Sequence, residues 1–197
     1  MQTITRGKRA SLAGGALAAW ATLAFMAAGP ALAQDQSAAA TWQHHKTTFN
    51  YLGFTPTYSC MGLEDALSYL LEQSGARLDH PVWAYPCNGS APTKLLMARL
   101  DFSTLQPAAD AASNPSGTAR GVWRHVDISA IRSNPRLHGS DCELVDEFRA
   151  TLLPMFATRN VRSNLHCIPY QTDGNLFDLS FDVLALPDAA HHGGSAD

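Results

Sequence analysis

Four cysteines constrain this 197-residue chain more than any other residues: Cys60 and Cys87, and again Cys142 and Cys167, each bracket one helix-like segment. What such a pattern means depends on the compartment, because disulfides persist only where the surroundings are oxidising. The N-terminus supplies the compartment. Arg6, Lys8 and Arg9 precede an Ala-, Gly- and Leu-rich run from Ala10 to Ala28, and "ALAQ" follows at Ala31 to Gln34. A basic head, an apolar middle and a small-x-small site form a secretory signal peptide cleaved after Ala33. Residues 1–33 are therefore read as the leader, and the mature chain as periplasmic or secreted. An uncleaved anchor is the alternative, but the run is mostly Ala and Gly and breaks at Pro30. No later apolar run reaches spanning length, so no stable membrane span is expected after cleavage.

In an exported chain the four cysteines default to disulfides, and four cysteines allow three pairings. A zinc or reactive-thiol role is weaker, since there is no C-x-x-C and no close Cys/His cluster. Loss of the leader's three basic residues takes the formal net charge from −3 to −6. A basic nucleic-acid surface or an anionic-membrane binder is not expected from that balance.

Self-similarity narrows the pairing. "TWQH" at Thr41 to His44 and "VWRH" at Val122 to His125 are 81 residues apart, and a nearly constant shift of 80 to 82 continues downstream. Cys60 meets Cys142, Leu70 and Leu71 meet Leu152 and Leu153, Arg77 meets Arg159, and Cys87 meets Cys167. "KLLMARLDFSTL" at Lys94 to Leu105 lies over "NLFDLSFDVLAL" at Asn175 to Leu186, which sets Asp101 over Asp182. Each match is weak alone, but Trp, His, Cys, helix, Cys and strand recur in one order. Equivalent bridges then require Cys60 with Cys87 and Cys142 with Cys167.

Each copy reads as β-α-β-β. First strands are expected at Lys46 to Phe54 and at Trp123 to Ile131, where aromatic and β-branched residues gather. Leu63, Leu67, Leu70 and Leu71 recur at helical spacing between Ser59 as N-cap and Gly75 as stop. In the second copy Ser140 and Glu143 suggest a capping box, Leu144, Phe148 and Leu152 form the apolar stripe, and Pro154 ends the helix. "PVWAYPC" and "NLHCIPY" read as short strands, and the last strand of each copy alternates apolar and polar residues, as a half-buried antiparallel strand does. The expected fold class is α/β in the α+β sense: two tandem β-α-β-β units with a mainly antiparallel sheet, one helix each, in one pseudo-symmetric domain. The boundaries are a loose tail at 34–41, units at 42–105 and 122–188, a linker at 106–121, and a second tail at 189–197. A unit of this size has a thin core. A bridge from the helix start to the sheet contributes roughly 3–4 kcal/mol by restricting the unfolded chain.

At "YSCMGLEDALSYLLEQSGAR", Tyr58 to Arg77, the pattern Tyr-Ser-Cys, Gly-Leu-Glu-Asp, Leu-Leu and Gly-Ala-Arg resembles small exported bacterial proteins of an uncharacterised family. The resemblance implies export and brings no activity with it.

Candidate chemistry is sparse. His44 and His125 each follow a tryptophan, Trp42 and Trp123, by two residues, and these four are the candidate binding residues. The plain reading is a same-face pair that packs and satisfies a hydrogen bond; the sharper one is a shared site between the copies. Asp101 and Asp182 fall on the polar face of their strands and read as solvated charge. Arg77 and Arg159 read as favourable charges at helix C-termini. His44-His45 and His191-His192 do not have the geometry of a metal set. Ser140, His138 and Asp141 lack the surroundings of a nucleophile. Asn88-Gly89-Ser90 reads as a turn. No metal, cofactor or catalytic residue is assigned on these patterns. The expectation is a non-enzymatic binding or structural envelope protein whose partner is another envelope protein or a small ligand, in an unassigned oligomeric state. The alternative is a periplasmic enzyme or small-ligand receptor with its site between the copies.

Overall fold

A computed structural model of the chain describes residues 37–54, 58–87, 91–93, 95–109, 117–130, 137, 139–171 and 175–187. The expected leader and second tail lie outside the described residues, as do His138, His191, His192 and the Asn88-Gly89-Ser90 turn.

The chain runs β1 (Ser37–Leu52), α1 (Cys60–Gln73), β2 (Arg77–Leu78), β3 (Trp83–Tyr85), β4 (Leu95–Pro107), β5 (Thr118–Ser129), α2 (Cys142–Thr151), β6 (Thr158–His166) and β7 (Leu176–Ala185). Its strands form one antiparallel sheet ordered β2-β4-β1-β5-β7-β6, with β3 pairing on β4. The α+β class expected from the sequence is the one observed. Bridges join Cys60 to Cys87 and Cys142 to Cys167, each tying the first residue of a helix to the end of a neighbouring strand. Two such bonds fit an extracytoplasmic chain. No helix among the described residues is long and apolar enough to cross a membrane.

Several boundaries move. Strand β1 starts at Ser37, inside the segment expected as a loose tail, and Ala40 and Thr41 are buried there. β4 runs on to Pro107 and β5 begins at Thr118, so both enter the expected linker. These small-residue ends are what pair the halves: Ser37 to Thr41 of β1 lie against Thr118 to Val122 of β5. Ala40 faces Ala119 and Ala38 faces Gly121, where a Cβ would meet the Leu184 side chain at 2.8 Å. β6 is longer than the expected "NLHCIPY" strand and carries Arg159 beside β7 rather than at a helix end.

Alternation along the strands decides which face is packed. Phe49 and Tyr51 of β1, Leu96, Ala98, Leu100 and Phe102 of β4, and Phe177, Leu179, Phe181 and Val183 of β7 turn inward, where both helices cover them in one core. The Ser59 cap forms, its Oγ accepting from Gly62 N at 3.2 Å. Gly75 ends the first helix with φ of 84°, and a side chain there would also strike Ala185. The expected Ser140–Glu143 capping box does not form. Ser140 sits in a 3₁₀ turn ahead of the helix, the N-cap is Asp141, and Glu143 accepts from Phe54 N of the other half at 3.0 Å. Helix α2 ends at Thr151, and Pro154 lies in the 3₁₀ turn that follows.

Helix ends cross between halves. Phe156 stacks on Phe102 with centroids 6.0 Å apart, and Thr104 Oγ1 and Gln106 Nε2 both donate to Met155 O at 3.0 Å. In the reverse sense Arg124 Nη2 donates to Gln73 O at 2.9 Å. Tyr58, buried ahead of α1, donates its hydroxyl to the buried Asp141 carboxylate ahead of α2. Burial, and then the Asp141 charge, pushes the Tyr58 phenol well above its ordinary 10.0.

Replacing Cys60 and Cys87 together by Ser is expected to lower the melting temperature by about 10 °C, from a loss of roughly 3 kcal/mol. Thermal melts of the oxidised proteins check this. A raised phenol keeps its proton in the fold, so its contribution is whole below pH 10 and is lost as pH rises towards the folded value. Denaturant titrations from pH 9 to 11 are expected to show a steeper loss of stability in the native chain than in Tyr58→Phe.

Candidate functional site

The sheet face turned away from the helices carries the residues singled out by their spacing. Trp42 and Trp123 both lie there, in a second apolar cluster with Ala40, Leu105 and Leu184. The two tryptophans thus share one patch. Each of the two histidines is hydrogen-bonded within its own half. His44 Nε2–H donates to Asp101 Oδ1 at 2.6 Å, and His125 Nδ1–H donates to Asp182 Oδ1 at 3.0 Å. The carboxylates expected as solvated surface charge are therefore partners, with side chains only 18% and 20% exposed.

The arginines depart from the expected helix-end role. Arg77 in β2 lies over the Trp42 ring at 4.6 Å, and Arg159 in β6 lies over Trp123 at 4.3 Å. A guanidinium on an indole face is attracted by the ring quadrupole and covers apolar surface at the same time. Each half so carries a cluster of Trp, His, Arg and Asp; the Trp, His and Arg correspond in register, whereas Asp101 lies opposite Lys46 and Asp182 opposite His125.

The clusters differ in their fifth member, which the sequence reading missed. In the first half it is Asp79, one residue past β2, whose Oδ2 is 3.9 Å from His44 Nε2. The N–H groups of Asp79 and His80 both donate to Asp101 O, at 3.0 and 3.2 Å, and this clasp fixes the turn over β4. Arg77 Nε holds Asp79 Oδ1 at 3.1 Å, and Ser103 Oγ donates to Asp79 Oδ2 at 2.5 Å. In the second half the fifth member is Asn160, whose Nδ2 donates to Asp182 Oδ2 at 2.7 Å. It sits at the β6 irregularity with φ of 55°. Asp79 to Asn160 is again the shift of 81, but a turn offers no periodicity that would draw the eye to it.

Electrostatics follows the hydrogen bonds. The His44 bond holds the Asp101 carboxyl below its ordinary 3.8, and the Asn160 bond, followed by that of His125, does the same for Asp182. Both are carboxylates at neutral pH. His45, on the opposite face from His44, packs on the Phe102 ring at 5.1 Å. Its Nε2–H donates to Thr104 Oγ1 at 2.8 Å, the hydroxyl that itself donates to Met155 O. Burial, and then the neighbouring His44, holds the His45 imidazole below its ordinary 6.5.

Among the grooves that adjoin these clusters, two bear on the candidate binding residues and their neighbours. One of about 650 Å³ is lined by Lys46, Thr48, His80, Trp83, Arg99 and Asp101 of the first half. Its Trp83 is 66% exposed. A second, of about 380 Å³, spans the halves and is lined by Trp42, Glu72, Arg77, Arg124 and Leu186 among others. Of the four candidate binding residues, Trp42 alone lines that second groove.

The clusters have no nucleophile in working position. Ser103, the hydroxyl nearest His44 in register, is 1% exposed and donates to Asp79, and the residue opposite His125 in the second half is Asp182. Ser140 and Asp141 do not build a hydrolytic set either, since Asp141 is buried on Tyr58. No family model, curated protein or solved structure matches the chain.

Because the His45 imidazole is depressed in the fold, the unfolded chain takes the proton first, and stability present above pH 6.5 is lost as pH falls. Between pH 7 and 5 the melting temperature is expected to drop, and His45→Gln is expected to flatten that drop. Parallel melts of the two proteins across this range measure it.

Proposed function

We propose that the chain is an exported, non-enzymatic binding protein, made of two copies of one β-α-β-β unit, that holds an anionic saccharide in the groove of its first half. The observation that carries this reading is the exposed Trp83 indole beside Lys46 and Arg99 in a groove of about 650 Å³. An aromatic side chain in a groove beside convergent polar groups is the kind of apolar wall that small-ligand sites use. Trp83 and Arg99 face each other across β3 and β4, and Arg99 lies over Tyr85 at 5.1 Å, so the charge is held on an aromatic floor. An indole offers a flat apolar face to a sugar ring, the cations take a carboxylate or phosphate, and Asp101 accepts from hydroxyls.

Support for duplication comes from the common order of elements and the matching placement of Trp, His and Arg. Support for binding over catalysis comes from the buried and engaged state of Ser103. Export to the periplasm or medium rests on the leader pattern and is supported by the two bridges.

Tryptophan fluorescence of the oxidised protein, titrated with oligouronides and with neutral oligosaccharides of equal length, tests the reading. Saturable binding of the uronides is expected, weakened about ten-fold or more in Trp83→Ala and in Arg99→Ala with unchanged melting temperature. Equal affinity for neutral sugars, or indifference to both substitutions, would overturn it.

A further inference from the structure

The first-half cluster differs from its counterpart in a way that points past hydrogen bonding. Around His44 Nε2 stand two carboxylate oxygens, Asp101 Oδ1 at 2.6 Å and Asp79 Oδ2 at 3.9 Å, and the three atoms lie within 4.8 Å of one another. Two anionic oxygens turned towards one imidazole repel each other unless a cation lies between them. In the second half that conflict is absent, because Asn160 brings an amide donor where Asp79 brings an acceptor.

The outer oxygens of both carboxylates are held away from the centre. Arg77 takes Asp79 Oδ1 at 3.1 Å, and Lys46 lies 3.9 Å from Asp101 Oδ2. The oxygens left over are the two that face His44. Ser103 occupies one lone pair of Asp79 Oδ2 and leaves the other. His80, whose Nδ1 bonds the Asp79 carbonyl at 2.6 Å, closes the turn beside the site. Such outer partners orient metal-ligating carboxylates. His44 has a 48% exposed side chain, which leaves an approach from solvent and a position for water.

We propose that His44, Asp79 and Asp101 bind one divalent zinc ion, with water completing a tetrahedral site. One imidazole and two carboxylates suit zinc better than calcium or magnesium, which take oxygen ligands alone. The ion replaces the proton shared by His44 and Asp101, and the two ligand atoms open to about 3.3 Å, the edge of a tetrahedron with bonds of about 2.0 Å. The second half cannot offer this set: Asn160 and Arg159 both donate to Asp182 and fill its outer oxygen with neutralising partners. The proposal does not depend on what occupies the neighbouring groove.

Isothermal titration of the oxidised full-length mature chain with zinc chloride at pH 7.5 tests it, beside His44→Ala, Asp79→Asn, His125→Ala and a His191→Ala/His192→Ala double variant. One zinc per chain is expected in the native protein, the His125 variant and the double variant. His44→Ala and Asp79→Asn are expected to bind about ten-fold more weakly or worse. Metal-free melts report whether each variant is folded, and zinc is expected to raise the melting temperature only where it binds. A native protein that binds no zinc overturns the site. So does binding that survives His44→Ala, or that disappears with the tail histidines. If Asp79→Asn melts early without metal, Asp79→Ser at the same position replaces it in the titration.

Discussion

Everything in this fold hangs on a pairing five residues long. Ser37 to Thr41 of β1 run antiparallel to Thr118 to Val122 of β5, and beyond that overlap the two strands travel in opposite directions. Each half therefore carries a β-sheet face that extends away from the junction and that one short helix cannot cover. The halves resolve this by covering each other: the turn after α2 packs Phe156 on Phe102 of β4, and the turn after α1 packs Gly75 on Ala185 of β7. One core results, and the buried Tyr58–Asp141 bond closes it between the two helix starts. A unit of this size alone buries a small fraction of its surface and is marginal, so the crossing adds core that neither half has by itself.

The bridges act on a different state. Each closes a loop at the first turn of a helix, so it restricts the unfolded chain most where local structure is weakest. In the fold they anchor helix starts, while packing across the junction anchors helix ends. The division explains why Cys60 and Cys142 sit at the first helical positions, and why Gly75 and Phe156 sit just past the ends.

Much of this was legible because periodicity and collinear recurrence are long-range signals. Leu63, Leu67, Leu70 and Leu71 mark one helix face, the alternation in β4 and β7 marks one sheet face, and a nearly constant shift of 80 to 82 pairs the cysteines. What escaped did so for physical reasons. Ala38 to Ala40 read as a tail because small residues carry no hydrophobic pattern, yet smallness is what lets β1 approach Gly121 and Ala119 beneath Leu184. Glu143 satisfied the capping-box spacing, but a tertiary donor, Phe54 N, claimed it. Arg77 and Arg159 read as helix-end charges because the strands that follow are short or irregular, and only the register of β2 on β4 and β6 on β7 places them over Trp42 and Trp123. Of the candidate site, Trp42, Trp123, His44 and His125 were visible as a recurring pair. Asp79 and Trp83 were not, because a turn residue and a strand of three residues leave no repeat to read.

Correspondence between the halves makes their differences informative. By register Ser103 faces His44 and Asp182 faces His125, so where the first half sets Asp79 against a hydroxyl, the second sets Asn160 against a carboxylate. Leu105 and Leu184, opposite Trp42 and Trp123, both join the apolar patch around the tryptophans. In the second half Asn160 and Arg159 both donate to Asp182, whereas the first half turns Lys46, Trp83 and Arg99 towards a groove. A paired architecture permits this division, since the shared core needs only the inward residues of both halves. The outward residues of either half can then change without cost to the packing that holds the chain together.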